Sequence, residues 1–234
     1  MARDERRADR PVVVRDGDAT VSVLPRRPGP TDTPFDVVAA AVAAFAPPGP
    51  VALLGFAAGG VLAPLRALGC DAPVVGVDRD LAHERTFRRV AGSWAGDVRC
   101  VHADAAAWAR RAPRGAFAAV IDDLSVPADG TIVKPRFSFE TLPRLVAPLL
   151  CGGGLFVDNL LPHPEVPWSG LVQAVLAGRS RGLLVDADDW ENRVLVAGRR
   201  VPDAREAGRR LRAALDTLGS EIAGTLRVRR VVRS

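Results

Sequence analysis

Five aspartates stand at or just beyond the ends of short apolar runs. Asp78 ends "VVGVD", Asp104 follows "VRCVHA", Asp122 and Asp123 end "FAAVIDD", and Asp158, with Asn159 beside it, falls in "LFVDNLL". A carboxylate at such a place can accept hydrogen bonds from ribose hydroxyls or an amine, ligate a hard cation, or take a proton from a nucleophile. Ahead of them, "VALLGFAAGG" carries Gly55, Gly59 and Gly60 where an apolar run hands over to a helical one. Without a Cβ, glycine reaches positive φ and lets a flat or charged ligand approach the main chain, while the helix that follows offers free N–H groups. Gly55, Phe56, Ala57, Gly59 and Gly60, then Asp78 with Arg79, and Asp104 with Ala105, form one candidate set for holding a ligand.

Two plainer readings stay open. The turn can be a tight strand-to-helix connection or a dinucleotide site, although Ala57 takes the place of the middle glycine of G-x-G-x-x-G and so disfavours a pyrophosphate. Asp78 lies 23 positions beyond Gly55, close to the roughly 20 at which a carboxylate grips ribose hydroxyls. Asp78 and Asp104 also suit helix N-caps, and one residue can do both.

The elements that must position these groups follow from periodicity. "PVVVRDGDATVSVLP" reads as a hairpin turning at Asp16-Gly17, and "FDVVAAAVAAFA" as a helix capped by Asp32 or Thr33 with Pro34 in its first turn. From residue 51 strands and helices alternate, with strands apolar nearly throughout, which implies parallel strands covered on both faces. "FETLPRLVAPLL" reads as a helix leading through "CGGG" to the strand "LFVDNLL", and "SGLVQAVLAG" as another helix. "RGLLVDA" and "NRVLVAG", joined by "DDWE", read as an antiparallel pair, followed by an amphipathic helix from Asp203 and a last strand "TLRVRRVV". The expectation is an α/β, doubly wound, mostly parallel sheet with an antiparallel last strand. It divides into a β-hairpin extension over 1–33 and a Rossmann-like domain over 34–234.

This order of elements resembles the class I S-adenosylmethionine-dependent methyltransferase fold, with seven strands between residues 51 and 198. The resemblance implies that the glycine turn and Asp78 hold S-adenosylmethionine or its decarboxylated form, that Asp104 receives the adenine amino group, and that Asp122 borders the cofactor. Ala58 stands where many such proteins carry an acid for the methionine amino group.

Two narrower resemblances compete over the acceptor side. In cation-dependent O-methyltransferases of the catechol and caffeoyl type, the positions matched by Asp122, Asp158 and Asn159 bind Mg²⁺ or Ca²⁺, and "PWSG" echoes a tryptophan-containing segment beyond them. That family's lysine just after the first aspartate is missing, and Leu124 to Pro127 stand there instead. In spermidine synthases, "GFAAGG", "VDRD" and "DDLSVP" have counterparts, and Asp123 matches the aspartate that deprotonates an amine. Val126 replaces the second acid of that loop, and the chain has no tyrosine. Asp122 and Asp123 are thus candidate catalytic groups, with His163 in "LPHPEVPW" a candidate general base. The alternatives are a metal site, acid–base work without metal, and plain turn-forming roles.

The segment "PADGTIVKPRFS" reads as a polar substrate lid on which Lys134 and Arg136 face solvent or hold an acidic acceptor. Trp108 either flanks the adenine or packs in the core, and His83 and His102 read as structural.

At 234 residues, with 48% hydrophobic and 25% charged residues, the chain has the composition of one soluble domain. Its +5 charge comes from arginines gathered at both ends, without the interleaved aromatics of a nucleic-acid surface, so no nucleic-acid partner is expected. Cys70, Cys100 and Cys151 form no CxxC pair, and no run of about 18 apolar residues occurs, so the expected setting is cytoplasmic and away from membranes. The expected partner is a small-molecule acceptor. The hairpin and last strand can pair with each other or across a homodimer.

Overall fold

The fold comes from a computed structural model that describes residues 10–16, 19–128, 131–176, 179 and 181–233. The turn expected at Asp16-Gly17 has Gly17 outside the described residues, while its two flanks pair as β1 (Val12–Asp16) and β2 (Ala19–Leu24). Helix α1 (Pro34–Phe45) begins as expected, with Pro34 in its first turn and the Thr33 side chain accepting the Phe35 N–H. The alternation then runs β3 (Val51–Leu54), α2 (Leu62–Ala67), β4 (Val74–Asp78), α3 (Glu84–Ala91), β5 (Val98–His102), α4 (Ala105–Arg111) and β6 (Phe117–Asp122).

A small hairpin follows, β7 (Val126–Ala128) with β8 (Thr131–Val133). The single helix expected over "FETLPRLVAPLL" is broken into α5 (Arg136–Glu140), α6 (Leu142–Val146) and a 3₁₀ turn over 147–149. Pro143 and Pro148 lack the N–H groups that a continuous helix needs. Strand β9 (Leu150–Leu160) starts earlier than expected and takes in "CGGG". The chain ends with α7 (Trp168–Val175), β10 (Arg181–Asp186), β11 (Arg193–Ala197), α8 (Ala204–Leu218) and β12 (Arg227–Val232).

The main sheet has the order β12-β10-β11-β9-β6-β3-β4-β5. Strands β5, β4, β3, β6 and β9 pair in parallel, and β11 inserts antiparallel between β9 and β10. The seven expected strands are present and an eighth joins them. β12 adds antiparallel to β10 along six residue pairs and does not pair with the N-terminal hairpin. Strand order reverses between β3 and β6, so the crevice beyond their carboxyl ends is where such a sheet binds ligands.

Successive side chains on a strand alternate between faces, which divides the core in two. Leu53, Ile121 and Val157 pack with α1 and α8, while Leu54, Val120 and Phe156 pack with α6 and α7. No helix among the described residues is long and apolar enough to cross a membrane.

Candidate active site

The glycine turn leaves β3 at the switch point. Gly55 has φ +84°, and a Cβ there would lie 2.6 Å from the carbonyl oxygen of Asp123. Gly60 is equally crowded, since a Cβ would meet Ser22 Oγ at 2.6 Å and the Phe35 ring at 2.7 Å. The bare backbone at these two glycines therefore admits other parts of the protein, which sets the turn tightly against β6 and the N-terminal segment. Phe56 turns inward, its ring buried edge-on to Phe87 at 5.1 Å and covering Gly76, so only its main chain belongs to the turn. Ala57 adopts φ 43°, in the left-handed region, and donates its N–H to Asp78 Oδ2 at 2.8 Å. This bond ties the turn to the strand-end carboxylate.

Asp78 also accepts the Asp80 N–H on Oδ1 at 3.0 Å, so each of its oxygens keeps a lone pair for a further donor. Asp104 caps α4 by accepting the Ala107 N–H on Oδ1, and the rest of its carboxylate is exposed. Ala105 is buried under α4, and Arg79 is exposed with its carbonyl 2.7 Å from His102 Nε2. The Trp108 ring leans on Phe117 at 5.6 Å, in the core. Gly55, Ala57 and Asp78 are half-buried and Asp104 is exposed, so main chain and both carboxylates stay open to solvent.

At β6 and β9 the pleat separates the candidate acids. Asp122 and Asp158 stand opposite one another on the face of Val120 and Phe156, fully buried. Asp123 and Asn159 fall on the other face, the side of the glycine turn, where Asn159 Nδ2 donates to Asp123 Oδ1 at 2.7 Å. Asn192, from the loop before β11, holds the Asn159 side chain through Oδ1 at 3.1 Å. His163 follows β9, accepts the Glu165 N–H on Nδ1, and rests edge-on against Phe139. That contact sets it with the Asp122 face rather than beside Asp123.

Lys134 departs most from expectation. Instead of facing solvent on a lid, its side chain is fully buried, with Nζ 2.9 Å from Asp158 Oδ1 and 3.2 Å from Asp122 Oδ1. The ammonium also donates to the Asp122 carbonyl at 3.2 Å and the Asn159 carbonyl at 3.0 Å. Ser138 Oγ and the Leu124 N–H complete the surroundings of Asp122 Oδ1. The neighbouring Arg136 is exposed, as expected, and pairs with Glu140 and Glu165.

The proposed Mg²⁺ or Ca²⁺ ligands Asp122, Asp158 and Asn159 do not fit such an ion. Two of them already hold the ammonium, and Asn159 points to the opposite face with both ends of its amide engaged. No cluster of three or more His, Cys, Asp or Glu side chains able to hold a metal occurs among the described residues.

Burial pushes the Asp123 carboxyl up to about 7 against the lowering pull of Asn159 and Lys134, and nearby Asp122 and Asp78 add to the rise. Burial also raises Asp122 and Asp158, with Lys134 opposing. For Lys134 itself, burial works against the charge, and Asp122 and Asp158 together overcome it, so its value lies above that of ordinary lysine. Asp122 Oδ2 and Asp158 Oδ2 have no hydrogen-bond partner among the described residues. Burial thus disfavours charge on both carboxylates, and the ammonium between them opposes that effect.

Ser138 and Asn192 escaped the sequence reading, and Lys134 was placed on a lid rather than between the two aspartates. The one available signal was that Lys134 is the chain's sole lysine among many arginines.

No protein-family model matches the chain, and no curated protein matches its sequence. Solved structures do match. A probable spermidine synthase from Corynebacterium glutamicum aligns with TM-score 0.64 at 16% identity, over 94% of this chain and 86% of that one. Human methyltransferase-like protein 13, in complex with S-adenosylhomocysteine, aligns with TM-score 0.58 at 15% identity, over 80% and 92%. A Burkholderia thailandensis 1,6-didemethyltoxoflavin N1-methyltransferase aligns with TM-score 0.51 at 15% identity, over 71% and 77%. With its strand order, inserted antiparallel strand and glycine turn at the switch point, the chain has the class I S-adenosylmethionine-dependent methyltransferase fold, in the form it shares with spermidine synthases.

Proposed function

We propose that the protein is a transferase using an adenosyl sulfonium donor, S-adenosylmethionine, to methylate a nitrogen or oxygen of a small molecule. The observation that carries this reading is the contact between donor turn and candidate base. The Asp123 carbonyl packs against Gly55 while its carboxylate, held by Asn159, lies on the face of Ala57 and Asp78.

A bound donor supplies an electrophilic carbon on positively charged sulfur. The turn from Gly55 to Gly60 offers main chain to the nucleoside, Asp78 accepts its ribose hydroxyls, and Asp104 accepts its amino group. Asn159 orients Asp123, and Asp123 takes the acceptor's proton as the nucleophile's lone pair bonds carbon. In a bound donor the sulfonium sulfur would serve as the leaving group, taking the carbon–sulfur electron pair and departing as a neutral thioether. Rate enhancement comes mainly from holding nucleophile, carbon and sulfur in line.

A second reading, aminopropyl transfer from the decarboxylated donor, is favoured by the likeness to a probable spermidine synthase over nearly the whole chain and by Ala58 in place of an acid. Val126 in place of the second acid of the spermidine synthase loop weighs against it.

Calorimetry with both donors tests the two readings. The expected result is S-adenosylmethionine binding, weakened roughly 10- to 100-fold by Asp78→Ala, as fits a lost charged hydrogen bond. A clear preference for the decarboxylated donor selects aminopropyl transfer, and binding of neither donor overturns both.

A further inference from the structure

We propose that the Lys134 ammonium is the site's resident cation, standing where a divalent metal would otherwise sit between β6 and β9, and that the protein works without a metal. Four oxygens surround it, two from carboxylates and two from main-chain carbonyls, all at 2.9 to 3.2 Å. Hard oxygen donors converging from two strand ends are what a Mg²⁺ or Ca²⁺ site requires. Here the positive charge arrives covalently attached, on a side chain with no exposure to solvent.

The choice of residue fits the role. Apart from three histidines, every other basic residue in the chain is arginine, and a planar guanidinium cannot imitate a small ion. An ammonium is a compact point charge with three donors. It reaches the pocket because β7 and β8 fold 131–136 back over the ends of β6 and β9.

Lys134 acts as a positioning residue. The carbonyls it binds belong to Asp122, adjacent to Asp123, and to Asn159 itself. The ammonium thereby sets the separation of the two strand ends that carry the Asp123–Asn159 pair on the opposite face. It also supplies the charge without which two buried carboxylates would repel one another.

The test needs neither donor nor acceptor, so its outcome is independent of the transferase reading. The full-length protein, freed of metal with EDTA, is titrated with Mn²⁺ by electron paramagnetic resonance, and its melting temperature is followed with Mn²⁺ and with Mg²⁺. The wild type should take up no stoichiometric Mn²⁺ and melt unchanged. Lys134→Ala should open the place between Asp122 and Asp158, bind Mn²⁺ roughly tenfold or more tighter than wild type, and melt higher with Mn²⁺. The added substitution Asp158→Asn should abolish both gains. Stoichiometric Mn²⁺ binding by the wild type that is lost in Asp158→Asn overturns the proposal, as does a folded Lys134→Ala that gains no Mn²⁺ affinity. Should Lys134→Ala not fold, the wild-type titration decides alone, with absence of uptake supporting the proposal.

Discussion

At the scale of single residues, Asp123 combines partial exposure, an orienting amide and a carboxyl pushed up to about 7. A base must be deprotonated to act, so the rate should rise with pH through about 7 and level off above it. Asn159 lowers the Asp123 value, so Asn159→Ala should move that limb to higher pH. Carbon-13 NMR of the aspartate carboxyls checks the shift without an acceptor, and an unmoved titration would refute it. Asp123→Asn should slow transfer by about 10²- to 10⁴-fold while leaving donor binding intact. Stability should respond in the opposite sense. Because the folded state holds this proton from pH 3.8 up to about 7, where the unfolded chain has released it, the Asp123 contribution is present at low pH and lost as pH rises. The melting temperature of Asp123→Asn relative to wild type should therefore increase between about pH 5 and about pH 8.

Among the elements, the glycine turn illustrates what a motif does and does not reveal. Its place after β3 was legible because an apolar run meeting glycines before a helix has few alternatives. Its packing was not, since the atoms that require Gly55 to be bare belong to Asp123, far along the chain. Two substitutions separate backbone strain from crowding. Gly69 has φ +75° with open space around it, so Gly69→Ala should cost only about 1 kcal/mol. Gly55→Ala adds a clash with the Asp123 carbonyl to the same strain, so it should cost more than about 2 kcal/mol and remove donor binding. Urea unfolding of both variants measures the difference, and equal costs would show that the turn yields freely. The broken helix over 136–149 was misread because the apolar spacing there outweighed Pro143 and Pro148.

For the molecule as a whole, β12 forms the end of the sheet and covers the side of β10, with Val228 and Val231 half-buried and Arg227, Arg229 and Arg230 exposed. A chain ending at Leu226 would leave six positions of β10 without their partner strand, and an open edge invites pairing with another copy. This truncation should melt lower and elute as dimers or larger species in size-exclusion chromatography, whereas an unchanged monomer profile would make β12 dispensable. The amino-acid sequence by itself determined the alternation of strands and helices, the parallel sheet and the row of carboxylates at its strand ends. Those features follow from local periodicity and from chain reversals that few residues permit. Only the tertiary structure decided which carboxylates act together. The face a strand-end residue takes depends on where its strand stops. Because β9 runs on through Asn159 to Leu160, the pleat sends Asp158 to Lys134 and Asn159 to Asp123. The cation between Asp122 and Asp158 comes from a hairpin whose fold-back no local spacing announces.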